Sequence, residues 1–135
     1  MNLLGRMKIV QSVAPVSSSS TLTATEIDCT GFDRVCHIIN VGAMASTGTL
    51  DYKVQEAAAT GMGSATDITG AALVQVADTG GSKVYAIDVP VNPAKPFQKA
   101  VAACGAAASV VGAVAVLYEG SGTFPKVAAT QAIIL

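Results

Sequence analysis

Tryptophan is absent from this chain, histidine occurs once, at His37, and aromatic residues make up only 4%. Sugar sites are usually lined by aromatic platforms, so the shortage weakens any carbohydrate-binding or glycoside-cleaving role for Asp51, Glu56, Asp67 and Asp88. A Ser–His–Asp or Cys–His arrangement would have to pass through His37. That residue stands inside the apolar run "VCHIINV", where a strand histidine fits better than a catalytic base. Charged residues make up 13%, about half the ~25% usual for globular chains. The net charge is −1, and the bases are scattered, whereas a protein that grips phosphates gathers Lys and Arg on one surface. Nucleic acid is therefore not an expected partner.

Nucleotide motifs are missing as well, with neither a G-x-x-x-x-G-K-[ST] run nor a G-x-G-x-x-G that follows a strand and opens a helix. "DTG" at 78–80 matches the aspartic-protease triplet, yet that chemistry needs two carboxylates sharing a proton, and this Asp sits in turn-like "DTGGS". The three cysteines, Cys29, Cys36 and Cys104, are an odd number without a close pair, which points away from a secreted disulfide framework. Cys29, Cys36 and His37 have a spacing that matches no standard zinc site. These readings together predict a protein that is not an enzyme, with no cofactor, no metal and no small-molecule substrate.

What is present is β-pattern. In "GTLDYKVQEA" (48–57), Leu50, Tyr52 and Val54 alternate with Asp51, Lys53 and Gln55, the signature of a strand with one face in a core and one in water. Similar runs occupy 7–13, 21–29, 34–41, 71–77, 83–89, 97–104 and 109–120, separated by Gly-, Pro- and Ser-rich turns. "RVCHIINV" is apolar on both faces, as a central strand is. No segment follows helical periodicity. The expectation is an all-β, single antiparallel β-sandwich of about eight strands, jelly-roll-like or alternatively immunoglobulin-like, with N- and C-terminal arms. The divisions are 1–20 for an N-terminal arm and first strand, 21–120 for the sandwich, and 121–135 for a C-terminal arm or last strand. "DTGGS" reads as a hairpin turn between 71–77 and 83–89, and 97–104 with 109–120 as a closing pair.

From Ala100 to Leu117 the chain carries no charge, long enough for a membrane-span candidate. Its reliance on Ala, Gly and Ser and the small-residue break "CGAAAS" favour two strands and a turn, so no membrane is expected. The sparse charge of the whole chain leaves a surface poorly protected against self-association, which predicts a homo-oligomer. Seven residues are candidate subunit contacts. Asp51, Lys53 and Gln55 form either a solvated face or a polar contact patch. Phe124, Ile133, Ile134 and Leu135 belong to an apolar tail that either completes the sheet or docks on a neighbour.

"LDYKVQEA", then "SATDITGAALVQV" and "KVYAIDV", and finally "FQKAVAAC…AVAVLYEG", resemble the small β-sandwich structural proteins of tailed-bacteriophage virions over about residues 34–120. The resemblance implies a virion protein made in the host cytoplasm, most like a head decoration (cement) protein. Its partners would be the major capsid protein and copies of itself, and its role to stabilise the capsid from outside by bridging subunits. Another virion part (tail tube, head completion or fibre protein) or a sugar-binding module are the alternatives. No functional residues carry over, because such proteins act through surfaces.

Overall fold

A computed structural model describes residues 6–120 and is built almost wholly of antiparallel strands. They are β1 (Lys8–Ser18), β2 (Thr21–Leu22), β3 (Ile27–Asp28), β4 (Arg34–Met44) and β5 (Thr49–Ala57). After these come β6 (Thr66–Ala72), β7 (Val76–Ala77), β8 (Lys83–Pro90), β9 (Phe97–Gly105) and β10 (Ser109–Tyr118), with one 3-10 turn at Asp78–Gly80. One sheet runs β1-β10-β4-β8, and the other runs β2-β9-β5-β6 with β3 also on β9 and β7 also on β5.

Counting β2 with β3, and β6 with β7, as two interrupted strands leaves eight positions that pair in nested order. The first pairs with the last (β1 with β10), the second with the seventh (β2/β3 with β9), the third with the sixth (β4 with β8), and the fourth with the fifth. A long hairpin rolled into two facing sheets is a jelly roll, and this nesting sets the immunoglobulin alternative aside.

Two readings change with this topology. β7 lies in one sheet and β8 in the other, so "DTGGS" passes between sheets instead of closing a hairpin. β9 and β10 are likewise not partners: each is an inner strand of its own sheet, and the link between them crosses the sandwich. Alternation reports which side chains face a core, but it does not report which strand lies alongside. The uncharged run 100–117 is thus divided between two strands, and among the described residues no helix is long and apolar enough to cross a membrane.

Boundaries also move. Within the segment 1–20, β1 runs on past Pro15 because this edge strand bulges between Gln11 and Val13 and again between Val13 and Val16. A proline has no N–H to lose where the ladder is already interrupted. The stretch "TDITG" is strand β6, not loop. The 121–135 segment, with Phe124, Ile133, Ile134 and Leu135, lies outside the described residues.

The core is layered by size. Along β9, Gln98, Ala100, Ala102 and Cys104 point inward, and the residues between them are half-buried on the outer face. Directly across the ladder, Ala102 faces Tyr52 and Ala100 faces Val54. In the other sheet Ala113 faces Ile39 and Ala115 faces His37. At these four positions a bulky side chain stands beside a methyl, so large and small residues share the layer. Tyr52 is the largest fully buried side chain, and burial pushes its hydroxyl up to about 12.

Urea denaturation should register both sides of this match. Tyr52→Ala is expected to cost about 3–5 kcal/mol through the cavity it leaves. Ala102→Leu, which overfills the same layer, is expected to cost about 1–3 kcal/mol.

Candidate functional site

The two sheets present opposite outer surfaces. On the β5 side the wet residues are tied to one another. Lys53 Nζ donates to Asp67 Oδ2 at 2.8 Å, and Gln55 Nε2 donates to the other oxygen of the same carboxylate at 2.7 Å. Gln75 Nε2 donates to Asp51 Oδ2 at 2.9 Å. Lys95 reaches Thr66 Oγ1 at 2.9 Å and lies 3.7 Å from Glu56. The Lys53 ammonium, with Gln55 adding a second hydrogen bond, holds the Asp67 carboxyl below the usual carboxylate range. Asp51, Lys53 and Gln55 thus share one face as the alternation predicts, and their partners come from β6 and the link after it. Asp67 could not be anticipated as a partner, because "TDITG" carries no apolar alternation that marks it as the neighbouring strand. Gln75 falls in the link between β6 and β7, inside the run 71–77 expected as one strand.

The outer face of the β1-β10-β4-β8 sheet is different. Ile38 on β4 stands between Val114 on β10 and Ala86 on β8, and Asn40 stands between Gly112 and Val84. A shallow depression of about 410 Å³ lies here, lined by Gln11, Pro15, Ile38, Asn40, Val84, Val110 and Val114, with no charged side chain among its walls. Glycine shapes the floor. A Cβ on Gly112 would come within 3.0 Å of the Pro15 ring, and one on Gly42 would meet the Val110 side chain at the same distance. Val84 is 65% exposed, and Val110 and Val114 are each 37% exposed. The signal for this face was the apolar character of "VCHIINV" on both sides: a strand apolar toward the core and away from it has an apolar outer surface too.

Charge enters only at one end of that face. Arg34 Nη2 lies 2.9 Å from Asp88 Oδ1, Arg34 Nε donates to Asp88 and to the Tyr118 hydroxyl, and Tyr118 donates to Asp88 Oδ2. The Asp88 carboxylate accepting that proton raises the Tyr118 pKa, and the two acceptors raise that of Arg34. The three groups neutralise one another beside Cys36.

Between the sheets lies a buried polar pair. His37 Nε2–H donates to Gln98 Oε1 at 3.0 Å, and both side chains are wholly buried. Since that oxygen only accepts, the ring carries its hydrogen on Nε2, while Nδ1 and the Gln98 amide nitrogen have no partner among the described residues. His37 and Cys36 are adjacent in a strand and point to opposite sides of the sheet. Cys29 is buried near Asp28, and loss of solvent pushes its thiol up to about 12, so it is an inert core residue. Among the described residues no group of three His, Cys, Asp or Glu side chains is placed to hold a metal ion.

No family model matches this chain, and no curated protein sequence does. Among solved structures, the chain is similar to a protein of the Bacillus endospore appendages, described as a novel family of disulfide-linked pili. That match has 18% identity, covers 90% of this chain and 96% of the other, and has a TM-score of 0.44. It is also similar to a chain of the Israel acute paralysis virus pentamer, at 8% identity over 94% of this chain and 78% of that one, with a TM-score of 0.41.

Two measurements follow. Burial lowers the His37 pKa below its usual 6.5, so above that pH both folded and unfolded chains are neutral here and stability is unaffected. As pH falls below 6.5 the unfolded chain takes up a proton that the folded chain refuses, and stability is lost by up to about 1.4 kcal/mol per pH unit until the folded pKa is reached. Thermal melts between pH 7 and 5 should show this slope, and His37→Leu with Gln98→Met should abolish it. On the polar face, Lys53→Ala should leave the melting temperature at pH 7 unchanged, because the pair is exposed.

Proposed function

We propose that this chain is a structural component of a virus particle that binds the outer surface of a tailed-phage capsid and stabilises it by bridging major capsid subunits, without enzymatic activity. The observation that carries the reading is the uncharged outer face of the β1-β10-β4-β8 sheet, with Val84, Val110 and Val114 exposed around a shallow depression. Contiguous apolar surface of this kind marks an interaction site. Covering it releases about 25 cal/mol for each Å² of apolar area removed from water. One such contact is weak, but many copies on a shell, each touching more than one capsid subunit, act together through effective concentration. The strand-and-turn resemblance over residues 34–120 supplies the identity of the partner in this reading. The described surface supplies the means.

The test uses purified expanded capsids that lack their decoration protein. The full chain should co-sediment with these shells and raise their melting temperature. Val114→Glu, an exposed position, should fold normally and bind at least about tenfold more weakly. A chain that binds no shell but forms rings or tubes alone would instead be a tail-tube protein, and the capsid reading would be abandoned.

A further inference from the structure

A jelly roll leaves two open edges on each sheet, and in this protein the four are not treated alike. The β1 edge is broken by two register shifts and carries Pro15 within the second of them. The β2/β3 edge consists of two pieces of two residues each. The β6 edge has a register shift against β5 and Gly70 in the left-handed region, and it passes to the two-residue β7. Short strands, bulges, proline and charged side chains are the devices that prevent edge-to-edge pairing. On β8 they are sparse: Lys83 is its first residue, Pro90 its last, and the charge of Asp88 is paired with Arg34. This strand runs for eight residues in unbroken register with β4, from Lys83 opposite Val41 to Pro90 opposite Arg34. Among the described residues no strand pairs with its other side. Every second backbone N–H and C=O of β8 points out along that side.

We propose that β8 is a self-association edge: two copies of this chain pair β8 to β8, antiparallel about a two-fold axis through Ala86. Three observations fit this occupant and register. Inner and outer faces must each stay continuous across the join, so residues of like orientation must meet. With Ala86 facing its own copy, Val84 meets Asp88 and Tyr85 meets Ile87, which satisfies that condition and keeps Pro90 outside the ladder. The same arrangement places no like charges opposite each other: Lys83 meets Val89, and Asp88 is already neutralised by Arg34 and Tyr118. Finally, Val84 and Ala86 are exposed on the outer face, and the join sets the two depressions, which no charged side chain lines, in one eight-stranded sheet. A closed, isologous contact of this type ends at a dimer and does not grow into a fibre.

The proposal goes beyond the capsid reading and is tested without any capsid. The full chain should sediment as a dimer at micromolar concentration. Ala86→Lys, which puts a charge on the edge without touching the core, should weaken dimerisation by about tenfold or more and leave the circular dichroism spectrum unchanged. A second pair of variants reads the register directly. In a Cys36→Ser background, Ala86→Cys should give a covalent dimer with oxidised glutathione, and Val16→Cys on the interrupted β1 edge should not. A wild-type chain that stays monomeric, an Ala86→Lys variant that still dimerises, or equal cross-linking at both cysteines would overturn the proposal.

Discussion

The thinness of two strands decides most of this structure. β9 and β10 are inner strands of opposite sheets, each flanked on both sides. Many of their inward residues are small, Ala100, Ala102 and Cys104 on one and Ala113 and Ala115 on the other, set beside the larger Gln98, Val111 and Leu117. Because the sheets of a sandwich pack at about 10 Å, a strand lined with methyls leaves room for Tyr52, Ile39 and His37 to reach across the middle. A core with few aromatics is closed in this way without large side chains on every strand. The Ala-rich, charge-free run that resembles a membrane segment is thus the small half of a large-and-small match on its inner face, and on its outer face it supplies the exposed Val110 and Val114.

That match also explains how much was legible. The positions of the strands could be read, because each buried face imposes a period of two that survives in "LDYKVQ", "VYAIDV" and "FQKAVAAC". The partners could not. Whether β8 pairs with β4 or with β7 depends on contacts far apart in the chain, and the Gly-Gly link fits a crossing between sheets as well as a hairpin. β6 escaped for a local reason. Most of its residues are exposed, and Gly70 takes a positive φ of 80°, so no alternation remained to read. The single buried position near the end of β6, Ala71, is too small to announce a core.

The candidate site divides along the same line. Asp51, Lys53 and Gln55 were visible as a polar face, but their hydrogen-bond capacity is largely spent on Asp67 and Gln75, two residues that only the folded chain brings near. A face whose charges are mutually satisfied gives a partner less to gain, since binding would exchange good hydrogen bonds for others. The opposite face was visible only indirectly, through β4 being apolar on both sides. Its depression depends on Gly42 and Gly112, and their importance lies in what they let approach: Val110 over one and the Pro15 ring over the other.

An unusual property of the fold is that, among the described residues, its one open, regular edge borders its apolar outer face. Val84 belongs to both, as an edge residue of β8 and as a wall of the depression. Sheet edges and apolar patches are each aggregation hazards when left uncovered, and β1, β2/β3 and β6 show that this chain contains the devices for blunting an edge. Their sparseness on β8, where Lys83 and Pro90 stand at the ends and Asp88 is paired with Arg34, is therefore a difference within one molecule under one set of folding constraints. Only the end of the outer face is charged, and there Arg34, Asp88 and Tyr118 cancel one another while remaining at the surface. The surface is organised as an interface is, with an uncharged centre and a polar margin.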